Sequence, residues 1–281
     1  MKENHSLLHQ DKWRIIDQSG TGLHVSALHS FGMDDTLCAL VGGGSTPATV
    51  RTWVHDKTIV LGIQDTRLPH LDQALEFLRH QGYRTIVRNS GGLAVVLDKD
   101  VLNISLILPE REKGIDINSG YDTMWELIRI MFADYSEAIE AKEIIGSYCP
   151  GSYDLSIEGR KFAGISQRRI RGGVAVQIYL CVNGSGQKRG EVIQQFYKIG
   201  VGGEKTKFIY PVIQPEVMAS LSELLKVEWT VEKIMTRLLY AIKDHADHLY
   251  AEPLQGEELT LFGAYYQRVS ERNRKILNFI E

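Results

Sequence analysis

The chain of 281 residues has only three cysteines, Cys38, Cys149 and Cys181. An odd, scattered set of that kind does not make a disulfide framework. It predicts a reduced, cytoplasmic setting. No run of about 18 apolar residues occurs, so no membrane span is expected. The opening stretch MKENHSLLHQDKW is polar and lacks the apolar segment of a signal peptide. There is no basic block, and the formal net charge is −3. Nucleic acid is therefore not an expected partner. No glycine cluster ends in Lys-Ser or Lys-Thr, as a phosphate-binding loop requires, and Gly42-Gly43-Gly44 reads as a loop before a strand. None of the nine histidines falls between His80 and His245. Two histidines in DHADH (244–248) read as a surface helix turn. A lone pair without further ligands makes no metal site, so neither a metal nor a cofactor is expected.

What is present points to a globular α+β fold. Hydrophobic residues make up 43% of the chain, enough for a sizeable core. Residues 58–65 read as a strand. In residues 68–83, Leu71, Leu75 and Leu78 fall at helical spacing, with Gly82 as the stop. Residues 85–108 read as strand, Gly-Gly turn, strand, polar turn and strand. Residues 121–144 read as an amphipathic helix broken near Asp134. Residues 153–182 give three strands with turns at Glu158-Gly159 and Gly172-Gly173. Residues 214–250 and the last 30 read as helical. Strands grouped with helices, without strict alternation, predict a mixed sheet flanked by helices.

Two stretches carry candidate chemistry. In RNSGG (88–92) the paired glycines either form a bare hairpin turn or let the main chain close on a ligand, with Arg88 as a charged donor at the mouth. In GSYCPGSYDLSIEGRKFAG (146–164), Cys149 sits in a polar loop, whereas Cys38 and Cys181 sit in apolar runs and read as inert core. An ordinary thiol titrates near pH 8.5, about, so a nucleophilic cysteine needs a nearby cation. Lys161 follows twelve residues later, on a strand expected to present Lys161, Ala163 and Ile165 on one face. The alternative is an ordinary solvated surface lysine.

The stretch RNSGGLAVVLDKDVLNISLIL resembles the Arg-Arg-x-Gly-Gly-Gly … Leu-Asn-x-Ser signature of the lipoate–protein ligase and octanoyltransferase superfamily. IEGRKFAGISQRRIRGGVAVQIYL resembles its Gly-Lys-Lys-x-x-Gly-Ser-Ala-Gln-x-Arg signature. PATVRTWVHDKTIVLGIQD resembles an early segment of the same family. Together the three, in the family's order, cover roughly residues 44 to 250. Asn89, Leu93, Leu97 and Ile165 depart from the family's residues and bear on substrate choice. The resemblance implies a catalytic domain over residues 1–250 and a helical extension over 251–281 packed on it. About 30 residues after Tyr250 are too few for the accessory domain of a ligase.

A cysteine just before the motif lysine marks the octanoyltransferase branch of Gram-positive bacteria, which works through an acyl-thioester. The chain looks closest to the members that take octanoyl from the octanoylated H protein of the glycine cleavage system and give it to lipoyl domains of 2-oxoacid dehydrogenases. Transfer from acyl carrier protein and ATP-dependent lipoate ligation are the alternatives, as is a non-catalytic acyl carrier. The resemblance implies Cys149 and Lys161 as catalytic residues, with the ammonium reaching both thiolate and acyl carbonyl. It implies Arg88, Ser90, Gly91, Gly92, Asn103, Gly164, Ile165 and Ser166 around the acyl group. An eight-carbon chain buried in a narrow tunnel supplies about 5 kcal/mol, at roughly 0.8 per CH₂. Arg168, Arg169 and Arg171 read either as solvated turn charges or as a docking patch for acidic partner domains.

Overall fold

The computed structural model describes residues 6–110 and 114–277. Eleven strands are described: β1 (Gln10–Gln18), β2 (Thr49–Trp53), β3 (Thr58–Leu61), β4 (Arg84–Val87), β5 (Val95–Leu97), β6 (Val101–Pro109), β7 (Glu140–Ala141), β8 (Leu155–Ile157), β9 (Arg160–Ile170), β10 (Gly173–Cys181) and β11 (Ala246–Ala251). Seven helices accompany them: α1 (Ala27–Gly42), α2 (Leu71–His80), α3 (Ile117–Met131), α4 (Gly186–Val201), α5 (Leu221–Leu225), α6 (Val231–Lys243) and α7 (Glu257–Leu277). Eight strands form one mixed sheet in the order β11-β1-β2-β6-β10-β9-β8-β7, and three form a second in the order β4-β3-β5. The α+β expectation is met.

The sheet's central strands, β6 and β10, are buried almost throughout and pair antiparallel over their full length. Their alternation sorts side chains to two faces. Leu106, Leu108, Val174 and Val176 pack with Met124, Leu127 and Ile128 of α3. Ile107 and Ala175 pack with Met33, Leu37 and Cys38 of α1. The three-stranded sheet shares a core with α2 and α4 through Ile59, Leu78, Ile193 and Phe196. No described helix is long and apolar enough to cross a membrane.

Three local expectations are corrected. Residues 246–251 are a strand parallel to β1, not helix, because α6 ends at Lys243 and the chain then completes the sheet edge. His248 of DHADH therefore lies in β11. The Gly-Gly segment is not a hairpin turn, since β4 and β5 flank β3 and residues 88–94 cross over its end. The second turn of the β8–β10 meander is centred on Arg171-Gly172, both left-handed at φ 50° and 77°. Like Glu158-Gly159 (52° and 73°), this pattern suits the twist of a two-residue hairpin.

Helix α7 crosses α1 closely: a Cβ on Gly32 would lie 3.0 Å from the Tyr266 Cα. Its Asn273 side chain accepts from Val87 N–H at 2.7 Å and donates to Val87 O at 2.8 Å. That clamp fixes the end of β4, one residue before Arg88.

Candidate active site

A cavity of about 270 Å³ opens between the two sheets. Its walls bring together every residue expected around the acyl group: Arg88, Ser90, Gly91, Gly92, Asn103, Gly164, Ile165 and Ser166, together with Cys149. Phe31, Trp53, Val60, Val95 and Leu97 supply its apolar side. The volume lies just under the roughly 300–1,000 Å³ of ordinary small-molecule pockets, which suits one slim chain. Asn103 is oriented by its hydrogen bond to Trp53 O (3.3 Å), and Ser166 Oγ donates to Gln177 Oε1 (3.3 Å). Arg88 Nε, Ser90 Oγ and Tyr179 OH are buried without a partner among the described residues, and all three side chains line the cavity. Buried polar atoms ordinarily find partners, so these are open to an incoming polar group.

Cys149 is half-buried and adopts a left-handed backbone at φ 46°, a costly conformation for a residue with a Cβ. Its Sγ faces two donors at 3.2 Å, Arg88 Nη2 and the Leu93 N–H. Arg88 Nη2 also donates to Leu93 O, so one guanidinium ties the glycine loop to the thiol. Glycine is required at position 92: its φ is 106°, and a Cβ there would stand 2.3 Å from Arg88 Nη2 and 2.9 Å from Sγ. Gly62 faces it so closely that a Cβ would meet Gly92 O at 1.9 Å.

Lys161 is fully buried, and its ammonium does not face the sulfur as expected. Nζ pairs with Asp154 Oδ1 (2.8 Å) and donates to Tyr148 O (2.9 Å) and Cys149 O (2.8 Å), with Ser147 Oγ at 3.3 Å. An ammonium has three protons, and these partners occupy them all. The charge thus stabilises the strained turn beneath the thiol rather than reaching into the cavity. Burial raises the Asp154 carboxyl, and the Lys161 charge opposes that rise. The cation beside the sulfur is Arg88.

The other cysteines differ. Cys38 and Cys181 are buried, and burial pushes both thiols up. The three arginines do not form a free basic patch. Arg168 pairs with the buried Asp35 (2.7 Å), Arg169 with Glu110 (3.0 Å), and Arg171 bonds Tyr265 OH (3.2 Å). Among the described residues, no group of three or more His, Cys, Asp or Glu is placed to hold a metal.

Several functional groups carried no sequence signal. Leu93 contributes its main-chain N–H, which no side chain advertises. Asp154 lies five residues past Cys149 in the same loop, where nothing in the sequence marks it as the partner of Lys161. Asp35, in the apolar run of α1, accepts from both Asn89 (2.9 Å) and Arg168, and so joins the glycine loop to β9. Beneath the loop, Asp65 accepts from Gly62 N–H (2.8 Å) and Tyr197 OH (2.9 Å), and burial pushes its carboxyl up to about 6.

A mixed sheet with a thiol and two converging donors at a slim, partly apolar cavity suits a domain that transfers an acyl group. The chain belongs to the lipoyl protein ligase A/B catalytic domain family, whose model matches residues 26–243. It is 56% identical over 274 residues to the octanoyl-[GcvH]:protein N-octanoyltransferase of Geobacillus kaustophilus, covering 98% of this chain and 97% of the relative. It is 52% identical over 277 residues to the lipoyl-[GcvH]:protein N-lipoyltransferase of Listeria monocytogenes, covering 99% of this chain and all of that one. The fold is similar to that of lipoate-protein ligase A bound with ATP, with a TM-score of 0.69 at 15% identity, over 92% of this chain and 95% of that one.

Proposed function

We propose that this chain is an acyltransferase that moves octanoyl from the octanoylated H protein of the glycine cleavage system to lipoyl domains of 2-oxoacid dehydrogenases, through a thioester on Cys149. The observation that carries the reading is the setting of that sulfur: the one cavity-lining cysteine among the described residues, met by Arg88 and the Leu93 N–H. The named relatives, similar over nearly their whole length, support GcvH as donor and a protein as acceptor. The lipoyl domain as that acceptor is what the family resemblance implies.

The thiolate attacks the amide carbonyl of the donor's octanoyl-lysine. The C–N bond breaks, the lysine leaves as an amine after gaining a proton, and octanoyl-Cys149 remains. An acceptor lysine amine then attacks the thioester, the C–S bond breaks, the amine nitrogen gives up one proton to solvent and the thiolate returns. Amide to thioester is uphill, while amide to amide is near neutral, so the intermediate is sparse with this donor. Arg88 and the Leu93 N–H hold the thiolate and then face the oxygen that gains charge in each attack. Lys161 is a positioning residue, holding the Cys149 turn through its carbonyls with Asp154 as counter-charge. Cytoplasmic conditions suit an enzyme that needs a free thiol.

The test combines octanoylated H protein with an apo lipoyl domain and no ATP. The acceptor should gain octanoyl. Modification that needs free octanoate and ATP would instead make the chain a ligase, and modification only from octanoyl-acyl carrier protein would replace the donor. A second reading changes the cargo, because the Listeria relative is named for lipoyl. Lipoyl is the same eight-carbon chain closed by a dithiolane, so the same assay with lipoylated H protein separates the two.

A further inference from the structure

The three most exposed large hydrophobic side chains among the described residues fall on two segments, one of them the loop that carries Cys149. Ile145 is 82% exposed, Val212 83% and Ile209 91%. They come from two segments that the main chain joins: Gln214 N–H donates to Gly146 O at 2.8 Å. Gly146 accepts that neighbour because a Cβ there would lie 3.0 Å from the Gln214 side chain. Next to them opens a groove of about 600 Å³ whose walls include Ile209, Val212 and Lys198. Lys198, Lys205 and Lys207 are exposed around it, while the nearby Glu204 is engaged by His70 at 2.9 Å. Such a rim is locally basic on a chain of net charge −3. Contiguous exposed apolar surface marks an interaction site.

We propose that this apolar and basic rim is the docking surface for the folded domain that presents the acylated lysine to Cys149. The inference rests on the transfer reading above. An acyl group carried on one lysine side chain reaches only as far as that side chain, so the domain bearing it must touch the mouth of the cavity. Ile145 lies four residues before Cys149, in the loop that forms that mouth. The partner face complementary to this rim has an apolar centre flanked by carboxylates. Charge of opposite sign steers the encounter, and the apolar residues hold the complex.

Two variants test it. Ile145→Asp with Val212→Asp alters side chains that stand in solvent, so the fold is preserved. The KM for octanoylated H protein should rise about tenfold or more. Acylation of Cys149 by a small octanoyl thioester should stay within about twofold of the parent. Lys198→Glu with Lys207→Glu should slow protein-to-protein transfer at low salt and approach the parent at high salt. Parental KM in the aspartate variant overturns the proposal, as does an equal loss with the small thioester. So does a parent that dimerises through this face, or binds anionic vesicles, where the variant does neither. A parent that accepts octanoyl from the small thioester but from no carrier domain sinks the transfer reading itself, and this docking role with it.

Discussion

The inner wall of the cavity and the outer rim of its mouth invert the usual placing of polarity. In the wall, Asp154 is 2% exposed and Arg88 is buried beside the thiol, and behind it the Lys161 side chain is 0% exposed. On the rim, isoleucine and valine side chains stand almost wholly in water. Ordinary globular surfaces do the reverse. Each inversion costs free energy locally and is retained by the surrounding structure. The buried ion pair is balanced by charge-assisted bonds to the main chain of residues 148 and 149. The difference teaches that the wall fixes one geometry for chemistry, whereas the rim leaves surface to be covered by something else. Departures from local rules concentrate where a protein acts.

Breaking the wall at its sulfur should have the largest effect. Cys149→Ala should lower transfer by roughly 10⁴-fold or more, measured as acceptor modification over time. Cys38→Ala and Cys181→Ala should cost about 1–3 kcal/mol of stability and leave turnover near the parent's, because both thiols are core. Near-normal transfer by the Cys149 variant ends the covalent account.

Removing the counter-charge comes next. Lys161→Met leaves Asp154 buried and unpaired, and should destabilise the fold by about 3–5 kcal/mol in denaturant titration. Adding Asp154→Leu should restore much of that stability without restoring turnover, because the carbonyls of 148 and 149 still lack their donor. Recovery of both together would show that the lysine does not position the turn.

Acid should act on the interior rather than the rim. His55 is 1% exposed, bonded to Ser30 Oγ (3.0 Å) and Gly22 O (2.8 Å), and burial lowers it from 6.5 to about 4. The folded state keeps the ring neutral where the unfolded chain would protonate it. Its stabilising contribution is present above pH 6.5 and is lost as pH falls towards 4, roughly 3 kcal/mol in all. Asp65 has the opposite sign: its raised carboxyl adds stability below about pH 4, lost as pH rises through 6. His55→Gln should therefore flatten the acid limb of stability against pH, and an unchanged limb would contradict this assignment.

The smallest effect sharpens the choice between the two cations. Arg88→Ala should slow alkylation of Cys149 by iodoacetamide severalfold, because the sulfur loses one of its two donors. Lys161→Met should leave that rate closer to the parent's, because its ammonium makes no hydrogen bond to the sulfur. The reverse pattern would return thiol activation to Lys161.

How much of this was legible depended on whether side chains or main chain carried the information. The motif glycines and Arg88 were readable because Gly92 tolerates no Cβ at φ 106° and Arg88 is a charge beside it. Cys149 was readable from its loop setting against the apolar runs around Cys38 and Cys181. The Lys161 partners were not, since two are carbonyl oxygens and the other two, Ser147 and Asp154, are a loop hydroxyl and a loop acid like many others. Strand β11 was hidden because ADHLYA lacks apolar alternation, and its place comes from pairing with β1 at the sheet edge. The rim was hidden because Ile209 and Val212 read as ordinary apolar residues until the fold leaves them outside.

The central claim is that octanoyl passes through Cys149, and intact mass measures it directly. The protein is mixed with an octanoyl thioester donor, without acceptor, and weighed before and after apo lipoyl domain is added. The account predicts one added octanoyl group, absent in Cys149→Ala, that disappears as the acceptor gains it. An acceptor that becomes octanoylated while the enzyme never carries the group, or carries it equally in Cys149→Ala, would contradict the account.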